Sequence, residues 1–200
     1  MAAGNKYGRK REDILAKAAE MFATRGFDGT TLEAVADALG YTKPALYYYF
    51  KNKEELFCSL VLDSLKEAYA RIEEIAGRDE APSAKLGGLI RLSLDEHMRH
   101  RGYFSFNHML YGFKEKLPPG PVLDEIESIS GRIPQTIMGI IAEGIEAGEF
   151  RREDPRALGA IIFGMLSGIM IHIDLPPLSE IDGERLKTTL DEIIVKGISP

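Results

Sequence analysis

Between Thr30 and Lys53 the sequence leaves room for short helices only. Thr30-Thr31-Leu32-Glu33 has the capping-box pattern, threonine followed three residues later by glutamate. It opens a helix with Leu32, Val35, Ala36 and Leu39 at helical spacing, and Gly40 ends that helix after little more than two turns. Tyr41 and Thr42 form the turn, and Thr42 is placed to cap the next helix. Pro44 is tolerated in its first turn, where a missing N–H has no partner to lose. In that helix Leu46 and Phe50 lie four residues apart and share the inward face. At about 100° per residue from Leu46, the inward side centres near 20° and Tyr48 stands opposite, flanked by Pro44, Ala45 and Tyr47. The outward face is small at its N-terminal tip, aromatic in the middle and bordered by lysines. A slim tip that approaches base edges, backed by groups for phosphates, is what a major-groove helix needs. Taken alone the segment also reads as an amphipathic helix with solvated tyrosines. The order helix, short helix, glycine turn, short helix makes it a helix-turn-helix.

The preceding residues supply the first of those helices. Lys6, Arg9, Lys10 and Arg11 come ahead of Glu12 and Asp13, which are expected in a first helical turn where the dipole favours acids. That helix is expected to run to about Thr24 on a stripe of Ile14, Leu15, Ala18, Ala19 and Phe22. Gly26 then stops it, with Phe27 folding back onto the last turn. The leading cations either reach a phosphate backbone or form a solvated tail, and both readings are open. The net charge is −6, yet residues 1–55 carry nine Lys/Arg against eight Asp/Glu, so a polyanion is expected to meet the N-terminal end.

The run from Arg9 to Leu56 resembles the DNA-binding head of the tetracycline-repressor (TetR) family of bacterial transcription regulators. The resemblance is carried by Ala19-Glu20-Met21-Phe22, Gly26-Phe27, Thr30-Thr31, and Val35-Ala36 before Leu39-Gly40. Its most specific part is Thr42-Lys43, Leu46-Tyr47, Phe50, Lys53-Glu54 and Leu56. It implies that Thr31 and Thr42 contact phosphates and that Lys43 donates to guanine. It also implies that Pro44 and Ala45 touch thymine methyls, that Tyr47 and Tyr48 serve backbone and bases, and that Lys53 closes on a phosphate. Tyr49 either joins them or packs on the first helix. Glu33 departs from relatives that carry a basic residue there, and is read as a capping carboxylate.

A long helix is expected from Lys53 to about Ala76, joining a helix-turn-helix domain, 1–52, to a ligand-sensing and dimerisation domain, 53–200. Gly77 to Pro82 reads as a loop and 83–100 as helix. Residues 103–113 hold five aromatics with Asn107 and His108. An aromatic wall with a few polar groups is what a small-molecule site requires, and it is equally what an ordinary large core looks like. Effector-binding bodies in the resembled family favour the pocket, whose candidate residues are Phe104, Asn107, His108, Met109, Tyr111 and Phe163. Leu123 to Ala147 reads as one long helix or as a pair interrupted near Gly131 to Pro134. Asp154 and Pro155 cap and start a helix so apolar on all sides that it must be buried all round, at an interface. Gly164 and Gly168, one turn apart, let another helix approach its backbone. A last amphipathic helix is expected over Ile181 to Ile198. In the resembled family the last two helices pair with their symmetry mates in a four-helix bundle. Gly164, Gly168, Leu186 and Leu190 are therefore the expected contacts of a homodimer on a pseudo-palindromic operator, with recognition helices about 34–36 Å apart or more.

Other chemistry is sparse. Cys58 is the single cysteine, and MAAGNKYGRKRED has no apolar signal-peptide core, so a reducing cytoplasm is expected. The apolar run Ala157 to Ile173 sits at the lower limit for a bilayer span, and its glycines, Ser167 and His172 read as a buried helix instead. Glu96, His97, His100 and His108 form only a weak metal pattern, and no role is assigned to these histidines. No phosphate loop, dinucleotide fingerprint or nucleophile elbow occurs, so no catalytic residue, metal or cofactor is expected. The expectation is an all-α, ligand-responsive transcriptional regulator, a repressor by the family's habit, acting as a homodimer on double-stranded operator DNA. The alternatives are a DNA-binding dimer controlled by a protein partner, and a helical enzyme or interaction protein without a visible motif.

Overall fold

The computed structural model describes residues 2–99, 119–173 and 178–199. All the described regular elements are helical. Packing divides the chain into two compact units, residues 1–65 with 101–127, and residues 66–100 with 128–200. The unit holding the helix-turn-helix thus reaches Leu65 rather than ending at 52.

In the first unit, α1 spans Ala2–Arg25. It starts earlier than expected, so Arg9, Lys10 and Arg11 lie within it and Glu12 and Asp13 are not in its first turn. Nothing in the first ten residues is a proline, and alanine, lysine and arginine favour helix there. Gly26 stops α1 in the left-handed conformation, φ 72°, its N–H donating to the Phe22 carbonyl at 3.0 Å. Phe27 stacks on Phe22 at 5.8 Å between centroids. Phe57 meets both rings edge-on, at 5.3 Å and 5.1 Å, and is fully buried. Phe57 belongs to α4, Lys53–Ala76, whose Leu56, Leu60 and Val61 are buried too. Burying one such ring stabilises by about 1.5–3 kcal/mol, which is why the first turns of α4 go with the head. Between α1 and α4 lie α2, Leu32–Leu39, and α3, Lys43–Tyr49.

In the second unit, α5 spans Pro82–Arg99, α6 Pro121–Glu146 (from residue 128 on) and α7 Pro155–His172. A 3-10 turn, Leu178–Glu180, then leads to α8, Gly183–Asp191, which continues into a π turn, Glu192–Lys196. The α6 helix is one element that passes through Pro134, not a pair. Proline there removes one hydrogen bond, and buried Ile129, Ile140 and Ile141 on either side keep the helix seated. The core joins Leu86, Ile90 and Leu94 of α5 to Ile162 and Leu166 of α7 and to Leu190 and Ile194 near the C-terminus. Gly144 is required beside it, because a Cβ there would run into the buried Phe150 ring. As expected, Asp154 caps α7, accepting the Arg156 N–H at 2.9 Å.

Three expectations about the last helices change. Leu190 is only 4% exposed and lies in the chain's own core, with Leu186 packed partly buried against it. The last helix starts at Gly183 rather than Ile181, because Asp182 caps it by accepting the Arg185 N–H at 2.8 Å. Nor is α7 buried all round. Ile161, Phe163 and Met165 are 59%, 49% and 37% exposed, and Ile181 and Ile193 are also open to solvent. Lys187 is buried, which no pattern in the sequence announces. Its ammonium pairs with Asp95 of α5 and, at 2.6 Å, with Glu184. Hydrogen bonding to Asp95 first, and to Glu184 second, holds Lys187 above the usual lysine range.

Candidate nucleic-acid interface

The site is built on the two short helices. Thr31 is the N-cap of α2, its hydroxyl oxygen accepting the Ala34 N–H at 3.1 Å. Thr30, the residue expected to open the capping box, is instead buried and donates its hydroxyl to the Gly26 carbonyl at 2.9 Å. Gly40 ends α2 at φ 67°, and Tyr41 N–H returns to the Ala36 carbonyl at 2.9 Å. That closure leaves Tyr41 and Thr42 before α3, the latter extended. Thr42 holds the N-cap position, but its side chain makes no capping bond and is exposed.

The helical wheel of α3 appears in the structure as drawn. Leu46 and Phe50 are 0% and 2% exposed, whereas Tyr48 is 73% exposed. Lys43, Pro44 and Tyr47 are exposed beside it and Ala45 is half-buried. Tyr49 turns the other way and stacks on Tyr7 of α1 at 4.8 Å. Desolvation first, then neighbouring tyrosines, raise its phenol pKa. Tyr7 also meets Tyr48 edge-on at 5.9 Å, so the first helix braces the exposed ring. Because α1 begins at Ala2, Tyr7 falls one turn from Lys10 and Arg11. Lys10 lies 5.4 Å over the Tyr41 ring, and Arg11 pairs with Asp63 at 2.9 Å.

Lys53 is committed within the head. Its ammonium donates to the Phe27 carbonyl at 2.9 Å and sits 4.2 Å over the Phe27 ring, with further N–H donors to spare. Glu33 is not a partner in a Thr30 box. Its carboxylate accepts the Tyr47 hydroxyl at 3.2 Å and lies 3.7 Å from the Lys43 ammonium. Its own backbone amide first, then the Tyr47 hydroxyl and the Lys43 charge, keep it below the usual carboxylate range.

The other expected site residues are dispersed. Phe104, Asn107, His108, Met109, Tyr111 and His100 lie outside the described residues. Phe163 is on the open side of α7, and His97 is buried. An apolar cleft of about 320 Å³ runs beside Gly164, Gly168, Ile169, Ile181 and Leu186. Among the described residues no cluster of histidine, cysteine or carboxylate side chains forms a metal site, and no helix is long and apolar enough to cross a membrane. Cys58 is buried, and burial first, then Glu54, pushes its thiol up to about 11, far from a nucleophile's range.

A bare helix tip presented on the second helix of a helix-turn-helix defines a protein that reads duplex DNA. Residues 14–60 match the model for bacterial regulatory proteins of the tetR family, and residues 79–171 match the tetracyclin repressor-like C-terminal domain. The HTH-type transcriptional repressor KstR2 of Mycolicibacterium smegmatis is 32% identical over 143 residues, 71% of this chain and 68% of the relative. The HTH-type transcriptional regulator RutR of Escherichia coli K12 is 28% identical over 202 residues, 96% of this chain and 91% of the relative. The solved structure of the ketosteroid transcriptional regulator KstR2 of Mycobacterium tuberculosis superposes with a TM-score of 0.80 at 24% identity, covering 96% of this chain and 95% of that one. The chain belongs to the TetR family. It is a DNA-binding transcriptional regulator with a helix-turn-helix head and a tetracyclin repressor-like C-terminal body.

Proposed function

We propose that this protein is a homodimeric repressor that reads a pseudo-palindromic operator through the exposed face of α3 and lets go when its body binds a small molecule. The observation that carries the reading is the division of α3 itself: Leu46 and Phe50 are sealed into the head while Tyr48, Tyr47, Pro44 and Lys43 stand in solvent. In this reading Thr31 and Thr42 meet phosphates on either side of the turn. The free hydroxyl of Thr42 is available for that because it caps nothing. Lys43, Pro44 and Ala45 approach base edges, and Tyr47 and Tyr48 follow along the groove. Tyr49 braces the helix from behind, and Lys53 has donors left for a phosphate after serving Phe27.

Dimerisation is assigned to the open apolar face of α7 with Ile181 and Ile193. A Cβ built on Gly164 or Gly168 meets no atom within 4 Å, so a partner helix can come close to this backbone. Ile161, Phe163 and Met165 would lose water there, at about 25 cal/mol per Å² of apolar surface buried. Phe163 suits this face better than a pocket. Leu186 reaches it from the cleft, whereas Leu190 does not. A C2 arrangement of this kind fixes the separation of two recognition helices, and an effector that binds the body better in another arrangement shifts the population away from operator spacing. Such a regulator works in the cytoplasm, beside the chromosome.

Selection from random duplex DNA, followed by binding against salt, tests the reading. A pseudo-palindrome bound with a steep salt slope is the expected outcome. Enrichment of no sequence at all overturns it.

A further inference from the structure

Glu33 is an acid on the side of the head where a DNA reader should be basic. It stands at the second position of α2, where the dipole favours a carboxylate. Lys43 and Tyr47 are four residues apart on α3, hence on one face. Both converge on one carboxylate oxygen of Glu33, the Tyr47 hydroxyl at 3.2 Å and the Lys43 ammonium at 3.7 Å. All three side chains remain in contact with solvent, Lys43 and Glu33 at 62% and 37% exposure. A contact so wet contributes little to folding, so stability does not explain it. What it does fix is direction. An untethered lysine has a long flexible stem and a strongly hydrated point charge, and it settles on whatever phosphate is nearest. A lysine and a tyrosine gathered onto one acceptor present the ammonium's remaining N–H donors and the phenol's lone pairs from a defined place.

We propose that Glu33 is a positioning residue that sets operator specificity by holding Lys43 and Tyr47 together for base reading and away from the phosphates. The inference rests on the head reading operator DNA, and deepens that reading. Glu33 lowers overall affinity, since it adds negative charge beside a polyanion, and in exchange it narrows the set of sequences that bind.

The test uses the full-length dimer, the operator obtained by selection, and the variants Glu33→Ala and Glu33→Gln. The alanine variant should bind duplex DNA of any sequence more tightly at low salt. With one lysine per head freed to a phosphate, its log K against log[salt] should steepen by about 2 for the dimer, at about 0.9 per phosphate. Base discrimination at the positions next to α3 should fall about tenfold. Glu33→Gln keeps an acceptor for Tyr47 but not the charge that draws Lys43. It should therefore steepen the slope as alanine does while keeping more of the discrimination. Rescue of the base preference by glutamine is a signature that a merely structural role would not give. An unchanged slope and an unchanged base preference in both variants overturn the proposal, as does a uniform loss of affinity across sequences. If wild-type protein enriches no site, the DNA-reading assignment itself fails and this inference goes with it.

Discussion

Replacing Gly164 by leucine should stabilise the protomer and break the dimer, and the opposite signs make the experiment decisive. In the single chain a Cβ at Gly164 has nothing within 4 Å, and the position opens on an apolar cleft of about 320 Å³ that has room for the rest of the side chain. Glycine inside a helix costs about 0.8–1 kcal/mol relative to a good helix former, so α7 gains by the change. Across a close helix–helix contact the sign reverses. Forcing extra methylenes into a packed interface costs about 1–3 kcal/mol, and two-fold symmetry inserts the leucine twice. The penalty is then about 2–6 kcal/mol, which at about 1.4 kcal/mol per tenfold raises the dimer Kd between about thirtyfold and twenty-thousandfold. Sedimentation velocity over a range of protein concentrations reads that shift, and far-UV circular dichroism checks that helix content is kept. A leucine variant that stays fully helical and dimeric at the same concentrations as wild type would remove α7 from the interface.

Three further outcomes follow from the described contacts. Tyr48→Ala should weaken specific operator binding by at least about tenfold. It should cost stability no more than about 1 kcal/mol, because the ring is 73% exposed and touches the head only edge-on; a large drop in melting temperature would show Tyr48 to be part of the core. Cys58, buried and with its thiol pushed up to about 11, should resist iodoacetamide at pH 8 in the folded protein and react fully in denaturant; stoichiometric alkylation of native protein would contradict its placement. Lys187, whose folded pKa is raised, contributes stability that is complete below the usual lysine value of 10.5 and is lost as pH rises through the higher folded value. Denaturant midpoints measured against pH should therefore fall at the alkaline end in wild type and fall less in Lys187→Met, and parallel curves would refute the assignment.

The helix-turn-helix was legible because its rules are local. Gly26 and Gly40 needed left-handed conformations that a sequence can announce, and the phase of Leu46 and Phe50 fixed where Tyr48 would point. The failures share a cause as well. Which threonine caps α2 depends on Thr30 finding the Gly26 carbonyl across a turn, a contact without a sequence period. The partner of Lys53 is Phe27, 26 residues away. The basic stretch at the N-terminus reads as lying ahead of the first helix, free for a phosphate or for solvent, because Glu12 and Asp13 suit a first turn; α1 instead begins at Ala2 and includes Tyr7. On the last helix, Leu186, Leu190 and Ile193 belong to one apolar set, and only packing decides which of them face the protomer's own core. The π turn at Glu192–Lys196 further shifts the phase there, so a uniform wheel misplaces the residues beyond it. Lys187 escaped notice because a buried lysine is legible only through its partner, and Asp95 is on a different helix.

The aromatic triad of Phe22, Phe27 and Phe57 has a practical meaning for anyone exchanging operator-reading modules between members of this family. A graft cut at residue 52 would carry two of the three rings and leave the third behind in the recipient. The splice has to fall beyond Leu65, inside α4. A seam there also has to keep the helical phase of Leu56, Leu60 and Val61 with the rest of α4, since each residue inserted or deleted turns the remainder of that helix by about 100° and advances it by about 1.5 Å.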